Sequence, residues 1–319
     1  MHSQSGGWTT GVFSDSAPAM KHLLSIESLT SDNIEAILEL AAKMKTMRGC
    51  LDTHPLRHRC WALIFTKSST RTRVSFEVGI RELGGDVLFL NANDIQLGRG
   101  EPIKDTARVL GRMIHGAVIR TYAQQDVEEF AKYSGLPTIN ALTDEEHPCQ
   151  ILADLQTIRE KLGKIEGKVV TFVGDGACNV PISWMWAAAR MDFQLRIAAP
   201  KPYQPDAALL ARLQTKNVTV TEDLNAAAEG ADVLYTDVWV SMGKEDEAAY
   251  RQAQLGNYQI NSALVAKAKP GALVMHCLPA YRGKEITEEV LEAHAATIFT
   301  QAENRLHAQK AILSLVARH

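Results

Sequence analysis

The sequence predicts an α/β fold: two doubly wound parallel-sheet domains facing an interdomain cleft. Three observations predict it. Short apolar runs alternate with amphipathic helical stretches along the chain, the pattern of parallel strands joined by helical crossovers. The 319 residues are too many for one simple core and fit two of ordinary size. A polar stretch, Gly163-Lys164-Ile165-Glu166-Gly167-Lys168, interrupts the alternation and opens a new strand, which puts a boundary within 150–167.

The first helix, 32–47, sets Ile34, Ile37, Leu38, Ala41 and Met44 on one stripe. Strand 61–65 is wholly apolar and ends in Thr66-Lys67. Helix 72–83, strand 87–90, helix 103–114, strand 117–120, helix 127–133 and strand 138–142 continue the alternation. Helix 151–162 follows Pro148, a residue suited to a first turn. Beyond the boundary come strand 169–173, ending at Gly174, then helix 182–191, strand 195–199, helix 207–213 and strand 218–220. Strand 233–236 ends at Asp237. The segment 243–257, with Lys244, Glu245, Asp246 and Glu247, reads as a solvated surface loop. Strands 273–277 and 298–300 and a helix over 306–316 complete the chain.

Composition narrows the function classes. Hydrophobic residues make 46% and charged residues 22%, the balance of a globular protein. A formal net charge of −3 offers no bulk attraction to nucleic acid or an anionic membrane, so anion binding needs a local cationic cluster. No apolar run is long enough to span a bilayer. Five cysteines, an odd number with no Cys-x-x-Cys pair, argue against a disulfide framework or zinc knuckle and for a reducing, cytoplasmic setting. The first twenty residues hold Gly6, Gly7 and several serines, no arginine and no apolar core; they read as a loose tail, not a secretory or mitochondrial leader.

Polar clusters stand at the carboxyl ends of the predicted strands, where ligands of open α/β sheets bind. Lys67-Ser68-Ser69-Thr70-Arg71-Thr72-Arg73 leads from a strand into a helix; its hydroxyls, N–H groups and arginines suit phosphate oxygens, though a plain serine N-cap fits too. It lacks the glycines of a Walker A loop. Arg120 ends a strand. His147 and Gln150, three apart in His147-Pro148-Cys149-Gln150, suit one small carbonyl group, or a simple turn. Gly174-Asp175-Gly176-Ala177-Cys178-Asn179 starts like a dinucleotide loop but lacks the third glycine, which disfavours a nicotinamide site. Asp237, with Ser241 four residues on, suits an ammonium group. Cys277, in His276-Cys277-Leu278-Pro279, is a nucleophile candidate or a packed thiol.

Taken in order, Ser69-Thr70-Arg71-Thr72, His147-Pro148-x-Gln150, Asp237-x-x-x-Ser241-Met242-Gly243 and His276-Cys277-Leu278-Pro279 resemble the motif set of ornithine carbamoyltransferases. The resemblance runs from about Lys21 to the C-terminus and includes 103–113 and Ala302-Glu303-Asn304-Arg305-Leu306-His307. It implies a carbamoyl-phosphate domain over 1–150, an ornithine domain over 151–303, and a C-terminal helix, 304–319, packed back on the first domain. It implies a homotrimer with active sites at subunit interfaces. Ser69, Thr70, Arg71 and Thr72 would bind phosphate. Arg120, His147 and Gln150 would contact the carbamoyl group, with Gln96 lent to a neighbouring subunit's site. Asn179, Asp237, Ser241 and Met242 would bind ornithine; Cys277, Leu278 and Arg305 would complete the site. Arg120, His147, Asp237 and Cys277 are the catalytic set so implied, with no metal and no organic cofactor.

The chain departs from the commoner pattern at Ala177-Cys178, at Pro181-Ile182 and at Tyr281. The implied reaction has a neutral side-chain amine attack a carbonyl carbon while phosphate leaves; because such an amine has a pKa of about 10, the site must select the neutral form. Carbamoyl transfer to another amine, such as putrescine or N-acetylornithine, is the nearest alternative. A non-catalytic binding subunit and a dehydrogenase are more distant ones.

Overall fold

A computed structural model describes residues 19–51, 53–91, 100–241 and 243–318. Most of the predicted loose tail, and Gln96 and Met242, lie outside them.

Among the described residues, nine strands form two wholly parallel sheets. The first holds β1 (Cys60–Phe65), β2 (Asp86–Asn91), β3 (Gly116–Arg120) and β4 (Thr138–Leu142) in the order β2-β1-β3-β4. The second holds β5 (Val169–Val173), β6 (Gln194–Ala198), β7 (Val218–Thr221), β8 (Val233–Thr236) and β9 (Leu273–His276) in the order β7-β6-β5-β8-β9. Each sheet reverses its winding once, between β1 and β3 and between β5 and β8. At such a reversal adjacent crossovers run to opposite faces and leave a crevice beyond the strand ends. Lys67 and Arg120 flank one crevice; Gly174 and Asp237 flank the other.

Register is fixed by packing. Phe65 stands opposite Arg120, and Trp61 opposite Gly116. A Cβ at Gly116 would lie 2.6 Å from three carbons of the Trp61 ring, so a glycine is required beside that buried indole. In the second sheet Trp184 meets Tyr235 edge-on at 5.6 Å, and Phe172 stacks on Tyr235 at 5.9 Å.

Helices connect the strands: α1 (Ser31–Thr46), α2 (Thr70–Glu82), α3 (Ile103–Leu110), α4 (Gln124–Ser134), α5 (Pro148–Leu162), α6 (Asn179–Arg190), α7 (Ala207–Leu213), α8 (Leu224–Ala228), α9 (Ala248–Leu255), α10 (Ser262–Val265), α11 (Glu288–Ala293) and α12 (Ala295–Val316). Several start earlier than the apolar periodicity predicts, because a first turn is polar and held by its cap: Thr30 and Asn33 form a capping box on α1, and Ser69 caps α2.

Two expectations fail. The predicted strand 298–300 belongs to the first turns of α12, where Ile298 is buried but the neighbouring apolar Phe299 is exposed, so the apolar residues do not keep to one helical stripe. The segment 243–257 is not simply a solvated loop: it holds a 3-10 turn, Glu245–Glu247, and α9, with Arg251 and Leu255 buried. The shortness of α9 hides its period.

The last helix, α12, reaches both sheets' surroundings. Lys310 donates to Glu82 of α2 at 2.6 Å, and Gln301 accepts from the His276 N–H at the end of β9 at 2.9 Å. Gly79 of α2 is where the two helices come close: a Cβ there would sit 3.2 Å from Lys310 Cγ.

Candidate active site

The two crevices open into one cavity of about 810 Å³, lined from both sheets. On its first wall, β1 ends and Ser69 caps α2, accepting from the Thr72 N–H at 3.3 Å. Ser69, Thr70, Arg71 and Thr72 line the cavity at a helix start without acidic residues in its first turn. The unbonded N–H groups and the positive helix end make this wall attractive to a phosphate.

Arg120 and Arg305 join Arg71 on the same wall. Among the described residues no salt bridge engages any of the three. Burial, then the charges of Arg305 and Arg71, pulls the Arg120 guanidinium pKa down to about 10, and its Nε is buried without a partner. Arg305 donates to Gln150 Oε1 at 2.7 Å and to Thr72 Oγ1 at 3.1 Å. This is a preformed concentration of positive charge awaiting an anion.

His147 precedes α5, its N–H held by Ser183 Oγ at 2.9 Å. Burial, reinforced by Arg305 and Arg120, holds its imidazole pKa well below 6.5. The ring is therefore neutral, and its Nδ1 is buried without a partner. A neutral imidazole beside two guanidiniums can donate to an oxygen that gains negative charge.

The opposite wall comes from the second sheet. Asp237, just past β8, accepts at Oδ1 from the Val238 N–H at 2.7 Å and from Cys277 Sγ at 2.9 Å. Burial raises the pKa of Asp237, and burial beside Asp237 keeps Cys277 a thiol. Cys277 is thus an S–H donor to a carboxylate, which makes it a poor nucleophile. Its orientation comes from its neighbour: His276 Nδ1 accepts from the Leu278 N–H at 2.9 Å, and Nε2 faces Glu285 Oε1 at 3.2 Å. Donor atoms of Asp237, His276 and Cys277 lie within 4.8 Å of one another, the spacing of a metal site, yet these hydrogen bonds already occupy them. Asn179 and Ser241 line the same wall, with Asn179 Nδ2 donating to the Thr143 carbonyl at 2.6 Å.

Of the residues singled out from sequence, Ser69, Thr70, Arg71, Thr72, Arg120, His147, Asn179, Asp237, Ser241, Cys277, Leu278 and Arg305 all line this cavity. Gln150 does not: it lies behind Arg305, donating to Asp154 Oδ1 at 2.8 Å. Tyr281, one of the departures from the family pattern, lines the cavity half-exposed, and Cys178 lines it partly buried, its thiol pKa raised by desolvation and then by Asp175 and Asp237. Two residues that stood inside quoted motifs without a role of their own are also there: Lys67, paired with Asp144, and Asp175, paired with Arg251 at 2.6 Å. Their partners lie 77 and 76 positions away, so only the fold brings them together.

Glu146 stands behind His147. It accepts from the Ile26 N–H at 2.8 Å and from Ser183 Oγ at 3.0 Å, and burial lifts its pKa from 4.5 to about 7. The folded state thus binds a proton more tightly than the unfolded chain. The resulting stabilisation is complete below about pH 4.5 and lost as pH rises through about 7. Glu146→Gln is expected to flatten this pH dependence, which amounts to a few kcal/mol at most, and urea denaturation at pH 5 and pH 8 measures it. An unchanged pH slope in the variant would refute the assignment.

Comparison with known proteins follows the same two walls. Residues 21–160 match the family model described as the aspartate/ornithine carbamoyltransferase, carbamoyl-P binding domain, and residues 166–316 match its Asp/Orn binding domain. The chain is 59% identical over 300 residues to a protein of Akkermansia muciniphila described as ornithine carbamoyltransferase, covering 93% of this chain and 98% of that one. The solved structure of ornithine carbamoyltransferase from Pyrococcus furiosus superposes with a TM-score of 0.87 at 45% identity, covering 93% and 97% of the two chains. That of the anabolic ornithine carbamoyltransferase from Campylobacter jejuni gives 0.88 at 38% identity, covering 94% and 99%.

Proposed function

The chain belongs to the aspartate/ornithine carbamoyltransferase family, and from that membership we propose that it moves the carbamoyl group of carbamoyl phosphate to the side-chain amine of L-ornithine, giving L-citrulline and phosphate. One observation carries the choice of residues: a single cavity sets three guanidiniums, without a carboxylate partner among the described residues, and a helix start on one wall against Asp237 and a thiol on the other. A donor with a phosphate and an acceptor with ammonium groups fit those walls respectively.

In this reading Ser69, Thr70, Arg71, Thr72 and Arg305 hold the phosphate. Arg120 and neutral His147 face the carbamoyl oxygen and stabilise charge that develops there. Asp237, Ser241 and Asn179 hold the amino-acid end of ornithine, while Cys277 keeps Asp237 oriented. The neutral amine attacks the carbonyl carbon; a C–N bond forms, the bond from that carbon to the phosphate oxygen breaks, and the nitrogen's surplus proton leaves with phosphate. Positioning both reactants supplies much of the acceleration.

Gln150 acts through Arg305 in this scheme. Gln96 and Met242 complete the proposed site from outside the described residues. We assign the chain to arginine biosynthesis, in line with the anabolic Campylobacter relative, and to a cytoplasmic homotrimer. Five free thiols fit the compartment, and among the described residues no helix is long and apolar enough to cross a membrane.

The acceptor is tested by initial rates with ornithine, putrescine and N-acetylornithine, each with carbamoyl phosphate. Asp237 and the hydroxyl of Ser241 suit a free amino acid, so ornithine is expected to lead by at least about a hundredfold in kcat/KM. A higher value for putrescine or N-acetylornithine would reassign the substrate.

A further inference from the structure

A run of buried hydrogen bonds joins the two walls of the cavity from behind. It starts where Leu278 N–H donates to His276 Nδ1 at 2.9 Å. The His276 N–H donates to Gln301 Oε1 at 2.9 Å, and Gln301 Nε2 donates to Asp154 Oδ1 at 2.8 Å. The same Asp154 oxygen accepts from Gln150 Nε2 at 2.8 Å. Gln150 Oε1 accepts from Arg305 at 2.7 Å, Arg305 donates on to Thr72 Oγ1 at 3.1 Å, and Ser69 Oγ donates to that hydroxyl at 3.0 Å. Gln301, Asp154, Gln150, His276 and Thr72 are all nearly inaccessible to solvent.

Gln301 and Asp154 touch neither wall themselves. Gln301 is the one side chain in this run whose acceptor serves one wall and whose donor serves the other. Asp154 holds two amides on one oxygen, which fixes both in a single orientation. We propose that Gln301 and Asp154 are positioning residues that couple the amine wall to the phosphate wall, so that filling one with ligand sharpens the other. This rests on the ligand assignments given above. When phosphate engages Thr72 and Arg305, movement of Arg305 is passed through Gln150 and Asp154 to Gln301, and so to the backbone that carries Cys277 and Leu278. Because coupling between sites is reciprocal, the amino-acid ligand tightens carbamoyl phosphate by the same factor.

The experiment is a binding cycle on the full-length protein. L-Norvaline, ornithine without its side-chain amine, binds without reacting, and its affinity is measured by titration calorimetry with and without saturating carbamoyl phosphate. Wild type is expected to bind norvaline at least about fivefold tighter in the presence of carbamoyl phosphate. Gln301→Met removes all three of its hydrogen bonds, with the His276 N–H, Asp154 and the Tyr235 hydroxyl; Gln301→Asn keeps the amide but is one methylene too short to reach from His276 to Asp154. In either variant the factor is expected to fall to within about twofold of unity, while carbamoyl phosphate alone binds within about threefold of wild type. Asp154→Asn keeps the accepting oxygen and is expected to retain the factor, a rescue that a general loss of packing would not give. Full coupling in a folded Gln301 variant, loss of coupling in Asp154→Asn, or no coupling in wild type would each overturn the proposal. Absence of citrulline formation by wild type would instead overturn the functional assignment, so the two failures are distinguishable.

Discussion

Arg120→Met is expected to lower kcat/KM by about 10³-fold or more, while leaving the protein as stable as wild type or more so. The guanidinium is buried, has no carboxylate partner among the described residues, and is crowded by Arg305 and Arg71. Its pKa, lowered to about 10, corresponds to a penalty on the order of 3 kcal/mol for the charged form. The penalty is constant below about pH 10, because both the folded and the unfolded chain carry the charge there. Methionine fills the space of the stem and removes the charge. Activity is read from citrulline formation and stability from urea denaturation without ligand. A variant that retains activity within tenfold would remove Arg120 from the reaction; one destabilised by several kcal/mol would show that the charge is compensated after all.

Asp237→Asn is expected to cost about 10³-fold in kcat/KM for ornithine, with the KM for carbamoyl phosphate changed less than about threefold. The carboxylate accepts from the Val238 N–H and the Cys277 thiol, and its remaining capacity faces the cavity. An asparagine keeps one accepting oxygen but loses the charge that an ammonium group requires. Burial raises the Asp237 pKa, so the acid limb of the pH–rate profile lies above the usual aspartate range in wild type and is absent from the residual activity of the variant. His147 contributes no limb near 6.5, because it stays neutral far below that pH. Equal losses for both substrates in Asp237→Asn would count against a role confined to the amine.

The fold was legible because most of the strands are short apolar runs between polar stretches, and nine of the ten runs read as strands are strands. The tenth, 298–300, failed because its apolar residues do not share one face of α12. Ile298 is buried but Phe299 is exposed, so Ile-Phe-Thr carried no helical period to distinguish it from a strand. Site residues at strand ends were legible for a related reason: a charged side chain that ends or directly follows an apolar run lies at the carboxyl end of a strand, and Arg120 and Asp237 do. The pairings of Lys67 and Asp175, and the roles of Glu146 and Asp154, were not, since they depend on partners brought close only by folding. For Gln150 the spacing from His147 suggested a shared ligand but not its neighbours: α5 starts between the two, and Gln150 bonds to Asp154 and Arg305.

The position of α12 bears on synthesis of the protein. Each parallel sheet is complete once its last strand has emerged, at Leu142 for one and His276 for the other. Arg305 and Gln301 come later, on the final helix. A ribosome adding about 5–20 residues per second therefore releases two nearly finished halves before the segment that joins them, and the emerging chain is catalytically silent until its last turns dock. A stop codon between positions 277 and 300 leaves every strand of both sheets encoded yet removes Gln301 and Arg305, and its product is expected to be inactive.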